Sequence, residues 1–120
     1  MNTRKIGTDG ESKAVDFLQK NGYLIIERNV HFGKIGEIDI VAADPKDGAT
    51  VFVEVKYNRN DSSSFGAPEF RFNVSKIRQL TKLAQMYIRK KNLYGKPVRI
   101  DAIAIDPNGI RHYKNCGMGL

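Results

Sequence analysis

Asp39, Glu54 and Lys56 lie inside two strongly apolar segments, Gly36-Glu37-Ile38-Asp39-Ile40-Val41-Ala42 and Thr50-Val51-Phe52-Val53-Glu54-Val55-Lys56. Segments this rich in Val, Ile and Phe read as buried strands. Two carboxylates and an ammonium inside them are costly unless something pairs with the charges. Carboxylate oxygens suit Mg²⁺ or Mn²⁺, in sites that leave room for water and for substrate phosphates. A lysine two residues beyond such a ligand lies beside the ion. There it can orient or deprotonate an attacking water, or offset charge developing on a phosphate. The same pattern also fits an ordinary salt-bridged solvent face of an antiparallel sheet.

A hairpin brings the two carboxylates together. Asp44-Pro45-Lys46-Asp47-Gly48-Ala49 is a strong turn signal. With residues 45–48 as the loop, Asp44 faces Ala49, Asp39 faces Glu54 and Glu37 faces Lys56. Alternation then puts Glu37, Asp39, Glu54 and Lys56 on one face, and Ile38, Ile40, Val53 and Val55 on the other. Like charges directly opposite destabilise a sheet. This register therefore asks for a protonated carboxyl, a bridging Lys56 or a cation. Glu11 can join the group, because it shares the apolar stripe of Ala14, Val15 and Leu18 on the first helix. Thr8-x-x-Glu11 also reads as a capping box, in which Glu11 only closes the helix start.

Around these residues the pattern predicts a helix over 9–21, stopped by Gly22, and a short strand over 23–26. The two acidic strands follow. Residues 58–69 are polar and read as a mobile loop. A second helix is expected over 75–92, with Ile77, Leu80, Ala84, Tyr87 and Ile88 inward. Strands over 98–105 and 110–113 flank the turn Asp106-Pro107-Asn108-Gly109. The order α-β-β-β-α-β-β predicts an α/β or α+β sheet with helices packed on it, in a single domain spanning 1–120.

The chain has 120 residues, 41% of them hydrophobic, enough for a core without disulfides. Its formal charge of +7 favours polyanionic partners. Cys116 is the one cysteine, and His31 and His112 stand far apart, which argues against a zinc cluster. No apolar run approaches the roughly 20 residues of a membrane span. The basic start has no apolar run behind it, so the cytoplasm is the expected compartment. Arg59, Arg71, Lys76, Arg78 and Lys82 are the expected nucleic-acid contacts, although any one of them also fits a solvated face. Phe65, Phe70 and Phe72 suit the core first and base stacking second. Asp101 reads as a structural partner of Arg99 or Arg28.

The spacing of Asp39, fourteen residues, then Glu54-Val55-Lys56 resembles the core of the PD-(D/E)xK nuclease superfamily, the restriction-endonuclease-like fold. Its surroundings are more specific. Gly7-x-x-Gly10-Glu11-x-x-Ala14, Gly22-Tyr23, Arg28-Asn29, Gly36-Glu37-Ile38-Asp39, Val51-Phe52-Val53-Glu54-Val55-Lys56 and Arg99-Ile100-Asp101 resemble the YraN family of small bacterial proteins over almost the whole chain. That family is similar in turn to archaeal Holliday junction resolvases. The resemblance implies a mixed central sheet flanked by helices, with the acidic cluster at one edge. It implies Asp39, Glu54 and the Val55 carbonyl as metal ligands, Lys56 as the catalytic lysine, and Glu11 completing the site. It also implies a homodimer, since junction resolvases need two active sites. Ile38 stands where the superfamily's name has proline, and Asn58 where arginine is frequent, with Arg59 next.

Two functions from different classes follow. One is a metal-dependent endonuclease acting on DNA, such as branched or damaged DNA. The other is a catalytically silent nucleic-acid-binding module of a repair, recombination or uptake complex. A basic structural protein is the third and weakest reading.

Overall fold

In a computed structural model that describes residues 3–58 and 74–116, and side chains at 10–58 and 75–116, Ala14 and Leu18 are fully buried. They set the inward stripe of helix α1 (Thr3–Lys20). Strands β1 (Leu24–Phe32), β2 (Gly36–Asp44) and β3 (Ala49–Tyr57) follow, then helix α2 (Val74–Lys91) and strands β4 (Val98–Asp106) and β5 (Gly109–Tyr113). The five strands form one mixed sheet in sequence order. β3 and β4 are parallel, and the other neighbours are antiparallel. The α/β order expected from the sequence is the order found.

The sheet separates two apolar layers. On one face α1 buries Ala14 and Leu18 against Ile40, Ala42, Val51, Val53, Ile103 and Ile105. On the other α2 buries Leu80, Leu83, Ala84 and Tyr87 against Ile38, Val41, Phe52 and Ile100. Each of the larger side chains contributes about 1.5–3 kcal/mol by leaving water, and each alanine less. β2, β3 and β4 are largely buried on both faces, which is why they read as nearly continuous apolar runs. Among the described residues no helix is long and apolar enough to cross a membrane.

Two expectations need correction. Helix α1 begins at Thr3, so Thr8 lies within it and Thr8-x-x-Glu11 does not form the helix start. Glu11 sits in mid-helix, not in the first turn. β1 runs on through Glu27, Arg28 and Asn29 to Phe32, well past the expected 23–26. A register shift between Ile25 and Glu27 and a left-handed Asn29 (φ 52°) interrupt its alternation, which hid its length. The polar stretch beyond Asn58, with its phenylalanines, lies outside the described residues.

At the hairpin end of the sheet, Arg99 ties several elements together. Its guanidinium reaches Asp44 at 2.9 Å, Asp47 at 2.6 Å and Asp101 at 3.0 Å. It also donates to the Tyr23 hydroxyl at 2.6 Å. Asp101 is fully buried and further bonded to His112 and to the Asn115 N–H. Burial alone would raise the Asp101 carboxyl, but hydrogen bonds from His112 and Arg99 hold it below its usual range. The structural role expected for Asp101 is met by Arg99.

Candidate functional site

At the opposite end the hairpin opens. The β2–β3 register is the expected one from Asp44↔Ala49 through Ile40↔Val53, and there it stops. Asp39 and Glu54 make no rung. Instead Asp39 Oδ2 accepts a hydrogen bond from the Val55 N–H at 2.9 Å, a side chain taking the place of strand backbone. β3 stays paired with β4 as far as Tyr57↔Ile105. Thr50 and Asn58 donate their N–H groups to the Pro97 and Ile105 carbonyls on the β4 side. With a continuous register between them, Val55 has the opposite parity, so its N–H and carbonyl both face the gap beside β2.

The one-face arrangement expected from alternation is also corrected. Ile38 packs in the α2 layer and Ile40 in the α1 layer, so strict alternation breaks at Asp39. Asn29 lies across from Asp39, between the rungs Arg28↔Ile40 and Val30↔Ile38. Its left-handed backbone, which Asn tolerates better than most residues, wrings the β1–β2 ribbon at this point. Beside it, Glu37 and Asp39 bring carboxylate oxygens to Glu11 on α1. Glu54 keeps the parity of Phe52 and reaches Lys76 on α2, with Oε2 3.1 Å from Nζ.

Glu11, Glu37 and Asp39 each offer a carboxylate oxygen, and these oxygens lie within 4.8 Å of one another. Gly10 makes the approach of α1 possible. A Cβ there would stand 2.8 Å from both Cβ and Cγ of Tyr57, so only glycine lets the helix lie this close to β3. Glu11 Oε1 is buried and has no hydrogen-bond partner among the described residues. Burial raises the Glu11 carboxyl, as does the charge of Glu37, against Arg28 and a hydrogen bond from Asn29. Asp39 is pushed up to about 8, first by burial and then by the charge of Glu54, against the Val55 N–H. Glu37 Oε2 also lies 3.6 Å from His31 Nε2.

Of the residues singled out in the sequence, Glu11 and Asp39 meet in this cluster, and Glu54 lies close enough to perturb Asp39. Lys56 is exposed and makes no ion pair with the described carboxylates. Arg78 and Lys82 are exposed on α2, whereas Lys76 is turned onto Glu54. Arg59 and Arg71 fall outside the described residues. Glu37 was visible as a same-face neighbour of Asp39, but nothing in the spacing marked it as a cluster member.

An all-carboxylate donor set with a buried, unpartnered oxygen fits a hard divalent cation, whose ligand distances run from about 2.0 to 2.6 Å. Fold and site together define a small α/β domain with a partly buried acidic cluster where its mixed sheet splays. The model of Uncharacterised protein family UPF0102 matches residues 10–105, and the chain belongs to that family. A UPF0102 protein of Persephonella marina is 44% identical over 109 residues, covering 91% of this chain and 90% of the relative. Two solved structures are similar at lower identity. The protein of the EndoMS-dsDNA2 complex aligns with a TM-score of 0.46 and 21% identity, over 76% of this chain and 34% of that one. The crystal structure of SSO0001 aligns with a TM-score of 0.47 and 19% identity, over 95% and 52%. The chain thus spans about a third of the first and half of the second.

Proposed function

We propose that this protein is a Mg²⁺- or Mn²⁺-dependent endonuclease that hydrolyses phosphodiester bonds in DNA, including branched or damaged DNA. The observation that carries the reading is the convergence of Glu11, Glu37 and Asp39 from two elements onto one partly buried spot beside Glu54. Carboxylates gathered this closely raise each other's proton affinity, and a divalent cation removes the conflict. When bound, the cation supplies an activated water and offsets charge on the phosphate.

Asp39 and Glu11, with Glu37, hold the cation, and Glu54 and the Val55 carbonyl border the same gap. The Val55 N–H, donating to Oδ2, fixes the Asp39 carboxylate. Lys56, two residues beyond Glu54, orients the attacking water or receives its proton. Arg78 and Lys82, with Arg59 and Arg71, hold the phosphate backbone through salt-sensitive contacts. A homodimer acting in the cytoplasm would present two such sites to a branched substrate.

Incubation of the protein with duplex, single-stranded and four-way-junction DNA, with Mg²⁺ or Mn²⁺, tests this. Metal-dependent cuts are expected. Asp39→Ala and Lys56→Ala should each lower the rate by roughly a hundredfold or more, while salt-sensitive binding persists. No cleavage of any of these substrates with either ion removes the enzyme reading. The exposure of Lys56 and the pairing of Glu54 with Lys76 favour a second reading, a nucleic-acid-binding module without chemistry. Binding without cuts would establish it.

A further inference from the structure

Glu54 is nearly buried, with its side chain 11% exposed, and stands beside Asp39. A carboxylate in that position needs a counter-charge. Lys56, the lysine of the sequence motif, does not supply it, because it points to solvent. Lys76 does. It sits in the first turn of α2, half-exposed, with its ammonium 3.1 Å from Glu54 Oε2. The Glu54 side chain of β3 and the opening turn of α2 are thereby joined at the edge of the acidic cluster.

We propose that Lys76 is a positioning residue of this site: it holds Glu54 as a built-in cation, and a divalent cation that recruits Glu54 must take it from Lys76. This rests on the reading that the cluster binds a divalent cation. Three carboxylates, Glu11, Glu37 and Asp39, meet on the α1 side, while the fourth is drawn toward α2. An ammonium and a divalent cation compete for the same carboxylate oxygens, so the lysine lowers the affinity of the site while keeping Glu54 in place without metal. Loading therefore replaces Lys76 by the divalent cation on Glu54.

Isothermal titration of the metal-free protein with Mn²⁺ tests the exchange without using activity. Lys76→Gln should tighten Mn²⁺ binding by roughly three- to tenfold, the range of a partly exposed ion pair. Lys76→Arg, which keeps the charge, should bind close to wild type. Lys90→Gln, at the far end of α2, makes the same change in net charge and should shift affinity by less than about twofold. In a Glu54→Gln background the Lys76→Gln effect should vanish. If Lys76→Gln binds Mn²⁺ as the wild type does, or more weakly, the exchange is overturned while the metal site stands. Persistence of the effect in the Glu54→Gln background also overturns it. If the wild type and Asp39→Asn alike show no binding, the metal reading itself fails and the exchange falls with it.

Discussion

The two ends of one sheet treat buried carboxylates in opposite ways. At the hairpin end, Asp44 and Asp101 face Arg99, His112 and backbone N–H groups. At the splayed end, Glu11, Glu37 and Asp39 face chiefly one another. Hydrogen bonds and Arg99 hold the Asp44 and Asp101 carboxyls low despite burial, whereas burial and then neighbouring carboxylates raise those of Glu11 and Asp39. The hairpin end is complete in itself and serves the fold. At the splayed end the positive charges stand at the margin, with Lys76 on Glu54 and Arg28 near Glu11, while Glu11 Oε1 stays buried with no hydrogen-bond partner among the described residues.

The largest way to break this contrast is to remove the cation of the paired end. Arg99→Met should leave Asp101 buried with too few partners and cost about 3–5 kcal/mol of stability, read as a loss of denaturation midpoint. Next comes the device that holds the unpaired end together. Gly10→Ala should cost about 1–3 kcal/mol by forcing α1 off Tyr57. Mn²⁺ binding should weaken with it, because Glu11 travels with the helix. A stable variant with unchanged Mn²⁺ affinity would show that Gly10 does not position Glu11.

The smallest effect sharpens the contrast through pH. Asp39 has its carboxyl raised to about 8, by burial and then by Glu54. Its contribution to stability is therefore fully present below the unfolded value near ~3.9 and is lost as pH rises through the folded value. Asp44 and Asp101 are lowered despite burial, by the Lys46 N–H and Arg99 for the first and by His112 and Arg99 for the second. Their contribution is present above ~3.9 and is lost as pH falls. Asp39→Asn keeps an acceptor for Val55 and removes only the charge. In metal-free protein it should gain about 1–2 kcal/mol near pH 9 and nothing near pH 4. Denaturant melts across that range, with the gain constant at all pH values, would remove charge conflict as its cause.

Much of this was legible beforehand. Apolar runs and turn residues placed every strand of the hairpin, and the loop over 45–48 fixed its register as far as Ile40↔Val53. Glu11 was found through its spacing to Ala14 and Leu18. The missed register has one cause. Register arithmetic assumes strict alternation, and alternation breaks where Asn29 turns left-handed and Asp39 leaves the ladder. The pair Arg28-Asn29 held the only hint, since Asn tolerates a positive φ. The Lys76–Glu54 pair leaves no mark in the sequence, because its two residues are remote along the chain. The capping-box reading of Thr8 failed for a local reason: a start signal inside a longer helix looks like a start.

The irregular course of β1 has one more effect. β1 is an edge strand, with Leu24 and Ile26 largely exposed. A straight, apolar edge of this kind is a template for unwanted pairing with another chain. The shift at Ile25–Glu27 and the left-handed Asn29 break its outward row of N–H and carbonyl groups into short, misaligned pieces. An edge interrupted beside Asp39 is a poorer template for sheet-to-sheet pairing than a straight one.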